Sequence, residues 1–227
     1  QFQGLCTHFA GAESIANYYR IKEQQKVFRR TMSALKKHGV EPHSVHAACS
    51  AGAIRYPQTR FDLSRIGIMQ YGFFPNRETL IHFLTKSEET DYPLERVLSW
   101  KSRVMDLKEV GAGEFIGYGT SYFTNRPTTI ALIPVGYSHG FSRTLSNQGR
   151  VLIRGARLSV IGMVNMNMMA VDVTENIPAV ERGDEVVIIG NQGDLELSVS
   201  SFSEYSDQVN YELLTRLPSE IPRLVVD

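Results

Sequence analysis

Charge of one sign is what this sequence most plainly lacks: 24 Lys and Arg meet 24 Asp and Glu in 227 residues, so the formal net charge is zero. Without a single-sign field there is no electrostatic footprint for nucleic acid or for an anionic membrane, and both partner classes are set aside. Cysteine is scarce as well. Cys6 and Cys49 are the only two, each inside an apolar run, which suits reduced core thiols better than a disulfide framework or a thiolate metal site. No apolar run approaches the roughly 18 residues a membrane helix needs, and the first residues lack the basic, apolar, small-residue order of a signal peptide. These absences lead to the expectation of a cytoplasmic protein. An initiator Met is missing too: the chain opens Gln1-Phe2-Gln3-Gly4 and runs at once into an apolar stretch, Leu5 to Ala10, which reads as the middle of a domain.

What is present describes a globular protein. Hydrophobic residues make up 42%, enough for a real core in one large domain or two modest ones. The first third alternates strand and helix. Leu5 to Ala10 reads as a strand, Glu13 to His38 as a helix with apolar positions Ile15, Tyr18, Tyr19, Phe28, Met32 and Leu35, and Lys36-Lys37-His38-Gly39 as its end, with cations and a glycine where a left-handed cap is wanted. Ser44 to Cys49 reads as a second strand, a short helix follows from Ser50, and Arg65 to Met69 reads as a third strand. This order predicts parallel pairing, and three such units leave a bare sheet edge. From about Leu94 the texture changes to short β runs with Gly-rich turns: Val97 to Leu107, Thr128 to Val135, Arg150 to Arg154, Leu158 to Val164, Met169 to Val173 and Glu185 to Ile189. One helix is expected among them, opened by the capping box Ser201-Phe202-Ser203-Glu204. The fold class is therefore α/β over residues 1–94, followed by an antiparallel β domain over residues 95–227.

Several constellations could carry chemistry, each with a plainer reading beside it. Arg65-Ile66-Gly67-Ile68 lies at a strand end, where parallel sheets bind ligands, and Ser50 begins the helix after the preceding strand. Together they could cradle an anion; alone, an Arg beside a Gly is more often a surface turn. His46 could hydrogen-bond Arg65, or be a satisfied core histidine, and His8 carries the same ambiguity. Tyr118, between Gly117 and Gly119, and Tyr137, in Gly136-Tyr137-Ser138-His139-Gly140, are proton-transfer candidates or core aromatics. A phenol serves as a general base near neutrality only where its neighbours favour the phenolate. Asn165-Met166-Asn167-Met168-Met169 reads by default as a methionine-rich core strand. Glu13, Arg143 and Tyr137 have no sequence proximity that would group them.

Taken in order, His8-Phe-Ala-Gly-Ala-Glu13, His46-Ala-Ala-Cys-Ser50, Arg65-Ile-Gly-Ile68, Gly117-Tyr-Gly119, Gly136-Tyr-Ser-His-Gly140 with Arg143, Asn165-Met-Asn167 and Asn210-Tyr211-Glu212 resemble the alanine racemase family over nearly the whole chain. The resemblance implies a pyridoxal 5'-phosphate enzyme acting on a small amino acid, built from a partial (β/α)8 barrel and a C-terminal β domain. It further implies a homodimer with active sites at the interface. By the same resemblance Ser50, Gly67, Ile68 and Tyr211 hold the cofactor phosphate and Arg65, oriented by His46, faces the pyridine nitrogen. Tyr118 is the base for the L-enantiomer, with His8 near it, and Met166 offers its amide to the substrate carboxylate. Tyr137, Arg143, Glu13 and Asn167 belong to the access corridor, and no metal is implied.

Departures from the family pattern are confined to particular positions. Gly117, Ser138-His139, Asn165, Asn167, Met163, Glu13 and Cys49 replace its more usual residues, which bears on substrate width and rate more than on reaction type. The cofactor lysine is absent: Lys22, Lys26, Lys36, Lys37, Lys86, Lys101 and Lys108 all fall in helix, loop or β-domain contexts. The expectation is a C-terminal portion of a racemase, partnered by an N-terminal barrel half that carries the lysine. A racemase of the same family acting on serine, and a non-catalytic assembly module, are the alternatives.

Overall fold

The computed structural model describes residues 2–87, 92–203 and 210–226, and the chain divides into two compact units, Gln1–Val97 and Leu98–Asp227. In the first unit β1 (Gly4–Cys6), β2 (Ser44–Cys49) and β3 (Leu63–Arg65) form a parallel sheet in sequential order, with Cys6 opposite His46 and Cys49 opposite Arg65. The crossover from β1 to β2 contains α1 (Tyr18–Lys37). That helix buries Ile21, Gln25 and Phe28 at four- and three-residue steps, so one stripe faces the sheet. Phe9, Ile21, Phe28, Ala47 and Tyr56 make the unit's core cluster; burying Phe28 alone contributes about 2 kcal/mol. As expected, α1 ends at His38, and Gly39 follows in the left-handed region (φ 68°). Two shorter helices, α2 (Ser50–Arg55) and α3 (Arg77–Ser87), complete the unit.

Four expectations for this unit need correction. The first strand stops at Cys6 rather than Ala10, and α1 begins at Tyr18 after a single 3-10 turn, Ile15–Asn17, capped by the Ser14 hydroxyl. The third strand ends at Arg65 instead of starting there, because Gly67 adopts φ −108°, ψ −99° and turns the chain into a 3-10 segment, Ile68–Tyr71. Cys6 is exposed on the edge strand and so is not a core thiol, whereas Cys49 is half-buried and packs against the core cluster; both are free.

The second unit is antiparallel. Its strands are β4 (Trp100–Arg103), β5 (Asp106–Val110), β6 (Phe115–Ile116), β7 (Tyr122–Phe123), β8 (Thr128–Ile133), β9 (Arg150–Ile153), β10 (Ala156–Ile161), β11 (Met169–Asp172), β12 (Glu185–Gln192) and β13 (Leu195–Leu197). The main sheet runs β13-β12-β9-β10-β11-β8-β5, with β4 also on β12, while β6 and β7 form a separate ribbon. The single strand expected over Val97 to Leu107 is two strands, because the backbone changes partner within it. The Val104 N–H donates to Asp184 O (2.9 Å) and the Met105 N–H to Leu132 O (2.8 Å). Val186 to Ile189 are buried without alternation, as a strand covered on both faces must be. Arg154 (φ 49°) and Gly155 (φ 72°) make the β9–β10 turn. It is fastened by a two-point bond from the Arg154 guanidinium to Asp184 (2.6 and 3.1 Å). Of the expected late helix, α4 (Ser200–Ser203) is present and Glu204 of its capping box lies outside the described residues; α5 (Asn210–Arg216) follows.

This is the expected class, an α/β part followed by an antiparallel β domain. Among the described residues no helix is long and apolar enough to cross a membrane.

Candidate active site

In the first unit the sequence candidates collect at the C-terminal ends of the three strands, where parallel sheets place ligand-binding groups. His8 follows β1, Ser50 follows β2, and Gly67 and Ile68 follow β3. Arg65 is the centre of the group. Its Nη2 donates to the carbonyls of Thr7 (2.6 Å) and Ala47 (3.3 Å) and approaches His8 Nδ1 at 3.5 Å, while Nη1 makes a short bond to His46 Nδ1. A guanidinium can only donate, so His46 Nδ1 accepts and its ring proton sits on Nε2. His46 is thus the partner that the sequence offered as one of two readings. Strand pairing sets up this meeting, since Arg65 lies opposite Cys49 and three residues from His46 on the neighbouring strand.

Ser50 is 1% exposed, and its Oγ accepts the Gly67 N–H at 3.0 Å. Its own hydroxyl hydrogen has no acceptor among the described residues. A buried O–H beside a backbone turn, a few residues from a fixed cation, is a donor set suited to an anionic group. Glu13 sits in the turn before α1, exposed, with a carboxylate that has no partner among the described residues. Its backbone, by contrast, is bound: the carbonyl accepts from Arg55 Nη1 (2.7 Å) and Asn76 Nδ2 (3.1 Å).

In the second unit one segment, Gly162 to Met168, ties the remaining candidates together. Tyr118 stands between Gly117 (φ 83°) and Gly119 (φ 74°) and is 73% exposed. A Cβ on Gly117 would come within 3.1 Å of Met163 N, so glycine lets this loop sit against that segment. The Tyr137 N–H donates to Asn165 O (3.0 Å), and the Ser138 N–H and hydroxyl both reach Met166 O (3.0 and 2.7 Å), the hydroxyl also lying 3.0 Å from Asn167 Oδ1. Those bonds occupy the carbonyl of Met166 and leave its N–H without a partner among the described residues. Arg143, Tyr137, Ser142 and Arg216 line a surface cavity of about 530 Å³. Tyr211, which the resemblance groups with Ser50, Gly67 and Ile68, lies in this unit on α5 and is 41% exposed.

These positions overturn the plainer readings. Tyr118 and Tyr137 are not core aromatics, and Asn165 to Met168 form an exposed turn rather than a core strand; only Met169, which opens β11, is buried. The sequence reading missed Arg55, Asn76, Glu78, Ser142 and Arg216. Of these only Asn76 left a signal, in a Pro75-Asn76-Arg77-Glu78 run that has the composition of a helix start.

Strand-end donors on an α/β unit, followed by a β domain that presents tyrosines on glycine-flanked loops, define a two-part enzyme-like architecture, and the comparisons give it a family. Residues 1–75 match the alanine racemase N-terminal domain and residues 97–225 the alanine racemase C-terminal domain. The chain belongs to the alanine racemase family. It is 37% identical over 225 residues to an alanine racemase of Leptospira interrogans, covering 99% of this chain and 57% of that protein. To an alanine racemase of Halothermothrix orenii it is 40% identical over 223 residues, covering 98% and 56%. Among solved structures, alanine racemase from Streptomyces lavendulae matches with a TM-score of 0.88 at 30% identity, over 100% of this chain and 57% of that one. A Bartonella henselae alanine racemase with covalently bound pyridoxal phosphate matches with a TM-score of 0.82 at 28% identity, over 99% and 56%. The chain therefore spans a little over half the length of these relatives.

Proposed function

We propose that this chain is the larger part of a pyridoxal-phosphate-dependent racemase that interconverts L- and D-alanine, supplying D-alanine for peptidoglycan precursors. The observation that carries this reading is the fixed Arg65 guanidinium, held by two carbonyls and the neutral His46 ring a few residues from the buried Ser50 hydroxyl. The cofactor's phosphate fits that donor set. Ser50, Gly67 and Ile68 would hold it, and Arg65 would face the pyridine nitrogen.

Pyridoxal phosphate, when bound, supplies an electron-accepting ring that acidifies the hydrogen at the substrate's Cα. The roles that follow fall to groups of this chain. A guanidinium does not surrender its proton, so Arg65 leaves the ring nitrogen unprotonated and the electron demand moderate, which favours return of a proton to Cα over side reactions. Tyr118, at the tip of its loop, removes the proton from the L-enantiomer. The Met166 N–H, without a partner among the described residues, donates to the substrate carboxylate. Tyr137, Arg143 and Asn167 line the approach and select by width and charge.

No lysine occurs in β1 to β3 or in the segments that directly follow them. Covalent attachment of the cofactor accordingly falls to a segment outside this chain, corresponding to the remainder of the relatives' length, and the working assembly is a homodimer in which the exposed Tyr118 serves the partner's site. The test is to combine this chain with a lysine-bearing N-terminal barrel segment of a relative. Retained pyridoxal phosphate and interconversion of L- and D-alanine, followed by circular dichroism, are expected, with both weakened in Ser50→Ala. Cofactor retention that is indifferent to Ser50→Ala and Arg65→Met would overturn the reading.

A further inference from the structure

The loop that carries Glu13 is held from two directions. From within, Gly11 takes φ 83° and its carbonyl accepts from the Asn17 side chain (3.1 Å) and from the Ser14 N–H (3.3 Å). From without, three side chains 42 to 63 residues away in sequence close on two backbone groups. Arg55, at the end of α2, and Asn76, just before α3, both donate to the Glu13 carbonyl (2.7 and 3.1 Å), filling its two lone pairs. Glu78, in the first turn of α3, accepts the Ile15 N–H on Oε2 (2.9 Å), and Arg55 reaches the same oxygen at 3.4 Å. The Arg55 side chain is 8% exposed and that of Glu78 49%, so Arg55 is the buried half of a pair at the surface boundary. Asn76 serves a second purpose at its other end: its Oδ1 accepts the N–H and the hydroxyl of Thr79 (2.9 and 2.8 Å), capping α3 while its Nδ2 holds the loop.

The bonds that grip the loop fall on its backbone groups, and the Glu13 carboxylate has no partner among the described residues. A carboxylate fixed through its main chain and open at its side chain is prepared to meet a cation, and fixing it beforehand removes the ordering that binding would otherwise require. We infer that Arg55, Asn76 and Glu78 are positioning residues that hold the Gly11–Asn17 loop so that the Glu13 carboxylate receives the α-ammonium group of an incoming amino acid. The ammonium half of this inference rests on the racemase reading above; the clamp itself does not.

Asn76→Asp separates the two purposes of Asn76. It keeps an oxygen for the Thr79 N–H and removes the N–H donor to the Glu13 carbonyl. Hydrogen–deuterium exchange of the chain should show the amides of Gly11 to Ile15 exchanging roughly tenfold faster in Asn76→Asp and Arg55→Lys, with the amides of α3 unchanged in Asn76→Asp. A residue that merely stabilised the fold would loosen α3 as well. In the assembled racemase, Asn76→Asp should raise KM for alanine about threefold or more with kcat little changed, and Glu13→Gln should raise KM in the same direction. Unchanged exchange in Gly11 to Ile15 for both variants would overturn the clamp, and an unchanged KM in Glu13→Gln would overturn the ammonium contact. An assembly inert towards either enantiomer of alanine, with the loop still loosened by Asn76→Asp, would remove the racemase reading and uphold the clamp.

Discussion

Arg65 and Tyr118, one in each unit, are held in opposite ways. Arg65 is fixed through its side chain, whose donors reach Thr7 O, Ala47 O and His46, so its position is determined by where two other segments lie, the end of β1 and β2. Tyr118 is fixed only through its backbone, by glycines whose conformation sets where the loop tip points, and its ring is 73% exposed. The difference teaches how the two kinds of site group tolerate change. A side chain saturated by distant partners fails when any partner moves, whereas one presented on a rigid loop fails only when the loop does.

Breaking the comparison at its extremes gives the largest effect. In the assembled enzyme Tyr118→Phe should slow proton abstraction from L-alanine by about 10²- to 10⁴-fold, some 3–5 kcal/mol of barrier. Its melting temperature should stay within the change expected of an exposed substitution, under about 0.5 kcal/mol. A large loss of stability would show that the ring packs after all. Gly136→Ala attacks the other tyrosine-bearing loop, that of Tyr137: a Cβ there would meet Asn165 O at 2.1 Å and Met166 O at 2.5 Å, both backbone atoms. About 1–3 kcal/mol of destabilisation is expected. It should be readable in thermal melts through Trp100, which is the chain's only tryptophan and lies buried in the second unit.

The smallest effect is one of pH. Burial, reinforced by Lys86 and Arg55, holds the His82 pKa below its ordinary 6.5, so the folded first unit binds fewer protons there than the unfolded chain. Its contribution to stability is whole above 6.5 and is lost as the pH falls below that value. In the second unit the Arg154 guanidinium holds Asp184 below its ordinary 3.8, and that stabilisation persists until the pH falls beneath 3.8. Acid titration should therefore weaken the first unit, followed by amide exchange of α3, before Trp100 fluorescence reports any change in the second. His82→Phe should move the two onsets closer together, and an unmoved first-unit onset would show that another group governs it.

Legibility in the sequence followed the range of the interaction. The end of α1 was readable because Lys36, Lys37 and Gly39 are adjacent and act locally. The pairing of His46 with Arg65 was readable as one of two options because both flank the same predicted sheet. The third strand was placed on the wrong side of Arg65, since the turn at Gly67 depends on a backbone conformation that an Ile-Gly-Ile run does not announce. Cys6 was taken for a core thiol because an apolar run does not reveal that its strand is an edge. The exposed turn at Asn165 to Met168 was hidden by methionines, which fill cores and surfaces alike. The grip on Glu13 was invisible for a different reason: Arg55 and Asn76 bind a carbonyl, and every residue type carries one.

Gly119 has empty space where a side chain would stand, with nothing within 4 Å of an added Cβ, yet its φ of 74° refuses ordinary residues. What excludes them there is handedness and not room. A D-residue prefers that same backbone, so D-alanine introduced at position 119 by semisynthesis would leave the Tyr118 loop in place and stiffen it, while L-alanine would twist it out of shape. The loop proposed to act on one mirror image of alanine thus discriminates between the two when either is built into its own backbone.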